Sequence, residues 1–415
     1  MRKLYLLLDE WNSDKNFVFS ELELIKQRLD VTVICDEVED KKATIFPEGV
    51  KFLFYSKRMS FSVVISLIKA FLDIETWKEL SRLRVERGKI SKASEIVRFY
   101  INAELFYGFM KKNGLVEHDS DAIYYSYWYF WKCFAITKHR DDMPGIRAIT
   151  RTHEYELFTV SIPSRYQPFK YAMDRNLDRI VFISKHGRDY YLDKYVRQAG
   201  GLEIPDDDID KKYLLYHLGT KDYGKLNPYK RGNVFNLVSC SSVIPRKRVG
   251  LILEALSHIN KARIHWTHFG DGELMDELKD NARRLLGCKD NISYELMGHT
   301  NHEDIMNYYM ENSVDAFAMV AVSEGNPVSV MEAMSFGIPI VSYDICNMRN
   351  VVMGNGILVP EECSAEQFAN EIEQFAELSD SAVSSYRVKS REIWEEDYRE
   401  SKNNQKFLSE VLLNL

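Results

Sequence analysis

Residues 323–341 read SEGNPVSVMEAMSFGIPIV, with Glu324 and Glu332 eight positions apart. Gly325 and Pro327 punctuate the stretch between the glutamates, and Gly337 and Pro339 follow them. The spacing predicts a loop over Ser323–Pro327 and a helix over Val328–Ser335, ended by Gly337 as the residue past the cap and by Pro339 beyond it. An apolar run, PIV, then starts the next strand. A helix start exposes unpaired N–H groups and a partial positive charge, which suits phosphate. One carboxylate in the loop and one a turn into the helix can each accept paired O–H donors from a vicinal diol. Ribose carries one such diol and a hexose another.

Working outward, short apolar runs alternate with helical patterns along the whole chain. KLYLLL, DVTVIC, VKFLFY, AIYYS, GIRAITRTH, DRIVFIS and YLLYHLGT read as strands before residue 221. The acidic, turn-rich GGLEIPDDDIDKK interrupts the pattern, and VFNLVSCSS, RIHWTHFG, ISYELMG, VDAFAMV and PIVSYD then begin a second series. Strand–helix alternation implies parallel sheets covered on both faces. The expected fold is therefore α/β, with two doubly wound Rossmann-like domains, 1–215 and 216–390. Open parallel sheets bind ligands beyond the carboxyl ends of their strands, so both domains are expected to aim those ends into a shared cleft.

Composition is that of a globular protein, 45% hydrophobic and 28% charged over 415 residues. Six scattered cysteines without a CxxC suit a reducing cytoplasm rather than a disulfide framework or zinc site. The apolar run after MRK is too short for a signal peptide, and no run of about 18 apolar residues exists to span a membrane. Residues 51–112 carry 13 Lys/Arg against 6 Asp/Glu, although the chain as a whole is at −7. Two readings of that segment stand: amphipathic helices with solvated basic faces, or a surface meeting anionic lipid headgroups or a phosphate-bearing substrate. Nucleic acid is not an expected partner, given the acidic balance and the lack of a recognised module.

VSCSSVIPRKRVGLILEAL, HFGDGEL, LMGHTNHEDIMNYY and SEGNPVSVMEAMSFGIPIVS occur in that order. Together they resemble the C-terminal domain of retaining glycosyltransferases of family 4, which have the GT-B fold, and in particular the bacterial members that build capsule, exopolysaccharide and lipopolysaccharide. The likeness is strong over 210–360, weaker over 120–220 through YYSYW, RTHEYELF and IVFISKHGRDYYLDKY, and only architectural before 115. It implies that Glu332 takes the ribose hydroxyls and Glu324 the donor sugar. The backbone of Gly325, Asn326, Pro327, Val328 and Ser329 would face sugar and phosphates. Lys247 falls where the family keeps its pyrophosphate lysine, flanked by Arg246 and Arg248. Five residues before Lys247 the family commonly has an arginine; this chain has Ser242, so Arg246 or Arg248 becomes the candidate replacement.

Gly270 and Asp271 resemble the loop lining the nucleotide pocket, and Leu296 and Met297 the segment near the base. His153 resembles the histidine that approaches the donor sugar from the first domain. On the acceptor side, the family's glycine-rich first loop is replaced by the glycine-free DEWNSDKNFVFSEL, which offers Asp14, Lys15 and Asn16. Tyr127 and Trp128, after a strand end, could stack on acceptor sugars. Residues 391–415 resemble the tail that crosses back to the first domain.

The activity implied is transfer of a sugar from a UDP- or GDP-sugar to a saccharide or lipid-linked acceptor, with the leaving phosphate taking the acceptor's proton. No obligatory metal or other cofactor is expected. The implied location is cytoplasmic, at the inner membrane face. A GT-B sugar-nucleotide epimerase and a non-catalytic nucleotide-sugar-binding partner are the alternatives.

Overall fold

The computed structural model describes residues 1–9, 11, 17–37, 46–56, 61–87, 92–118, 120–158, 166–198 and 201–415. Asp14, Lys15 and Asn16 lie outside these residues. The chain divides into two units, Met1–Tyr216 with Asn404–Leu415, and His217–Asn403. Only residues from 404 onward rejoin the first unit; the segment 391–403, expected to leave with the tail, stays in the second.

The first unit is built on strands β1 (Lys3–Leu7), β2 (Asp30–Asp36), β3 (Lys51–Tyr55), β4 (Ile123–Ser126), β5 (Arg147–Thr152), β6 (Arg179–Phe182) and β7 (Tyr213–Leu215). They pair in the order β3-β2-β1-β4-β5-β6-β7, every pairing parallel. The strands are near-continuous apolar runs because helices bury both faces of the sheet. Aromatic residues fill much of the core: Phe134 and Phe169 stack at 4.2 Å, and Tyr5 stacks on Tyr124 at 4.8 Å. Residues 404–415 complete the opposite layer, where Phe407, Leu408, Val411 and Leu412 are buried with β1, β2 and the helix Phe17–Ile25.

That layer contains an ion pair. Arg151 donates to Glu21 at 2.5 Å, both side chains 3% exposed, and its guanidinium lies 4.3 Å from the Phe407 ring centroid. Burial alone would lower the Arg151 pKa, but the Glu21 charge and hydrogen bond, together with Tyr125 and Tyr127, outweigh it and hold the guanidinium above its ordinary value.

The second unit holds β8 (Phe235–Cys240), β9 (Ile264–Phe269), β10 (Ile292–Leu296), β11 (Ala316–Met319), β12 (Ile340–Tyr343) and β13 (Gly356–Val359). The order is β10-β9-β8-β11-β12-β13, again all parallel. The strand order reverses between β8 and β11. A crevice at such a reversal is where doubly wound sheets bind ligands. The helix Val328–Ser335 has the bounds expected from sequence. Gly337, at φ 71°, ends it: its N–H reaches the Met334 carbonyl and that of Ile338 the Ala333 carbonyl, a Schellman motif.

Candidate functional site

At the β8/β11 reversal, the loops leaving the two strands enclose a cavity of about 390 Å³. Its lining includes Ser242, Lys247, His302, Glu324, Asn326 and Glu332. Pro327, Val328 and Ser329 line it as well, so the uncapped start of the helix Val328–Ser335 opens onto it. Val330 and Met331 N–H donate to the Pro327 carbonyl, each at 3.1 Å, so it is the Val328 and Ser329 end of the helix, without a side-chain cap, that offers a favourable place for an anion.

Glu324 and Glu332 are each 13% exposed. The Lys247 ammonium donates to Glu324 Oε1, and Arg246 Nη1 lies 3.7 Å from the same oxygen. Arg246 also donates to the Ser323 carbonyl at 2.9 Å, bracing the loop from its exposed side. Arg248 is placed differently. Its backbone takes a left-handed φ of 49°, and its guanidinium donates to the Val320 carbonyl at 2.8 Å and lies 5.4 Å from the Tyr343 ring centroid. Arg248 thus ties down the end of β11 and does not line the cavity, so of the two arginines only Arg246 approaches Glu324.

Gly270, Asp271, Leu296 and Met297 also lie outside the cavity lining. Gly270 has φ 137°, and a Cβ there would meet the Ser241 carbonyl oxygen at 1.9 Å, so only glycine fits where these loops cross. The Asp271 carbonyl accepts the Val243 N–H at 2.9 Å, and Met297 N–H donates to the His268 carbonyl at 2.9 Å. These residues shape the loop that carries Ser241 and Ser242.

Asn326 supplies a further observation. Both polar atoms of its buried amide have no hydrogen-bond partner among the described residues, and the residue lines the cavity. A buried amide left in that state is costly unless a ligand or solvent satisfies it.

The sequence reading missed His302. It opens the helix His302–Glu311, and its Nε2 lies 2.7 Å from Glu332 Oε1. The hydrogen bond to Glu332 is the main cause holding the imidazole pKa above its usual 6.5. The sign is that of a base gaining a partner. The pair's contribution to folding is fully present below the unfolded pKa, about 6.5, and is lost as pH rises through the raised value. Substituting Glu332→Gln should therefore bring the His302 titration, followed by NMR, down toward its ordinary value; an unchanged midpoint would dissolve this pairing. No local pattern could have flagged His302, because its partner is 30 residues away and meets it only through the sheet order.

In the first unit, His153 follows β5. Its Nδ1 lies 3.3 Å from Glu156 Oε1, while its buried Nε2 has no partner among the described residues. Trp128 and Tyr127 lie beside it, ring centroids at 4.2 and 5.0 Å. The structure thus brings His153, Tyr127 and Trp128 together at the carboxyl ends of β4 and β5. Tyr127 is buried, leaving half-buried Trp128 as the more accessible ring. Glu156 also accepts the Tyr129 N–H, and Lys170 nearby is pushed down to about 7, chiefly by burial.

Residues 235–377 match the family model of glycosyl transferases group 1. An O-antigen biosynthesis glycosyltransferase, WbnH of Escherichia coli, is 30% identical over 113 residues, 27% of this chain and 30% of that protein. The chain spans about a third of the length of the curated relatives it matches. Among solved structures, the lipopolysaccharide outer core galactosyltransferase WaaB aligns at TM-score 0.67 and 14% identity over 100% of both chains. Anabaena Alr3699/HepE in complex with UDP-glucose aligns at 0.60 and 15% identity, also over 100% of both. The fold is that of GT-B glycosyltransferases: two parallel-sheet, Rossmann-like α/β units.

Proposed function

We propose that this chain transfers a sugar from a nucleotide diphosphate sugar to a saccharide or lipid-linked saccharide, with retention of anomeric configuration, in bacterial surface polysaccharide synthesis. The observation that carries the reading is the single cavity joining Glu324, Glu332, Lys247, the orphaned Asn326 amide and an uncapped helix start. Each group fits one part of such a donor. Glu332 accepts from the ribose diol and Glu324 orients the sugar. The helix start and Lys247 hold the diphosphate, and the Asn326 amide pairs with sugar or phosphate oxygens.

Lys247 then neutralises the charge that grows on the diphosphate as the glycosidic bond breaks. The leaving phosphate takes the acceptor hydroxyl's proton on the same face, so no protein nucleophile is required. Within the first unit, His153 and Trp128 are assigned to sugar binding. The acceptor is presented at the cytoplasmic membrane face. A UDP-sugar is the first donor to try, since the Anabaena neighbour was solved with UDP-glucose.

Calorimetry of wild type and Glu332→Ala against UDP-, GDP-, ADP- and dTDP-sugars tests this. One donor should bind the wild type, and the variant about 10- to 100-fold more weakly, the worth of hydrogen bonds to a charged group. No binding by any donor would overturn the reading.

A further inference from the structure

The helix Phe61–Leu72 is packed the wrong way round for a helix on a soluble surface. The small residues Ser66 and Ala70 are buried, although Ser62 at its start is exposed. Its large ones, Val64, Ile65, Leu67, Ile68, Phe71 and Leu72, are exposed, Leu72 at 80%. The apolar face runs on into the next helix, Ile74–Arg87, through Ile74 at 68% and Trp77 at 55%. Isolated exposed apolar residues need no explanation, but eight within fourteen positions form a patch of the kind that marks a binding surface. The expected solvated basic face is thus replaced here by an apolar one.

Charge says what covers it. The acidic residues of this stretch with described side chains are all held in ion pairs. Asp73 pairs with Lys138, Glu79 receives Tyr166, the Phe169 N–H and Arg82, and Glu75 pairs with Lys78 and Arg175. Lys69, paired with the buried Glu104, and Lys78, paired with Glu75, are about half exposed at the patch. The segment 51–112 holds 13 basic against 6 acidic residues. Trp77 is anchored by its indole N–H to the Phe71 carbonyl at 2.8 Å, leaving its ring outward. An apolar helix face edged by cations and an aromatic ring is the pattern of a helix lying in a membrane interface. At 12 residues the helix is about 18 Å long, too short to cross a bilayer. No helix among the described residues is long and apolar enough to cross one.

We infer that the face formed by Val64–Leu72 and Ile74–Trp77 inserts into the interface of an anionic lipid bilayer. This gives the proposed function its place of work: docking would hold the first unit at the surface that carries a lipid-linked acceptor. The inference rests on that reading only for its purpose; the contact itself is independent of donor binding.

The test is co-sedimentation of the full chain with vesicles of phosphatidylcholine alone or with about one third phosphatidylglycerol, at low and high salt. The wild type should partition onto the anionic vesicles and be released by salt. Ile68→Glu/Leu72→Glu should lose at least tenfold in partition, with unchanged melting and donor affinity. Both side chains point to solvent, so the variant should fold. Equal partition of wild type and Ile68→Glu/Leu72→Glu would overturn the proposal. So would concentration-dependent dimerisation in sedimentation velocity that this variant abolishes, which would assign the face to a second copy. A wild type that binds vesicles but no donor would leave this inference standing and remove the transferase reading instead.

Discussion

Lys247→Ala is expected to lower kcat by about 10²- to 10³-fold, the usual effect of removing one preorganised group that stabilises charge developing in a transition state. The expectation follows from position. Lys247 lines the cavity beside the uncapped helix start, and its ammonium donates to Glu324. A donor diphosphate would draw the ammonium away from that carboxylate and free Glu324 for the sugar. The loss should therefore appear in kcat more than in KM, because the diphosphate is most charged as the bond breaks. Initial rates of nucleotide release, with the donor identified by calorimetry, give the measurement. Turnover within a factor of three of wild type would remove Lys247 from the phosphate role. Arg248→Ala is the control: its guanidinium serves the Val320 and Ala321 carbonyls, so its effect should fall on melting temperature rather than on kcat.

The second large effect concerns stability. Glu21→Ala would strand the Arg151 guanidinium in a layer where both partners are only 3% exposed. Leaving one member of a buried pair unmatched costs about 3–5 kcal/mol. For a unit of this size each kcal/mol is worth roughly 2–4 °C, so the transition of the first unit should fall by about 6–20 °C in calorimetry. Glu21→Leu with Arg151→Met should recover most of that loss, because two apolar side chains of similar volume need no charge partner. Were the single variant to melt with the wild type, water or another group must already satisfy Arg151.

Much of the architecture was legible because local signals agree with one another. Pro327 and Gly337 bound the helix Val328–Ser335, and the apolar runs on either side of it have no other use than a doubly buried sheet. Less visible were features that depend on which neighbour a side chain finds. YLLYHLGT looked like one long strand, yet only Tyr213–Leu215 join the first sheet, since the chain leaves the first unit after Tyr216; Thr220 bridges Arg399 instead. Arg246 and Arg248 are equivalent as letters; the left-handed backbone at Arg248 separates them. His302 met Glu332 only through the strand order. The helix Phe61–Leu72 is apolar nearly all round, and periodicity cannot say that Ser66 and Ala70, rather than the larger residues, face inward.

The burial of residues 404–415 against β1 and β2 has a temporal side. The second unit, His217–Asn403, is spelled out between the two parts of the first. A ribosome therefore releases β1 to β7 long before Phe407, Leu408, Val411 and Leu412 exist to cover one side of them. During that interval an apolar flank, with Arg151 and Glu21 behind it, is open to water and to other nascent chains. The second unit has no such debt to later sequence and can close its core first.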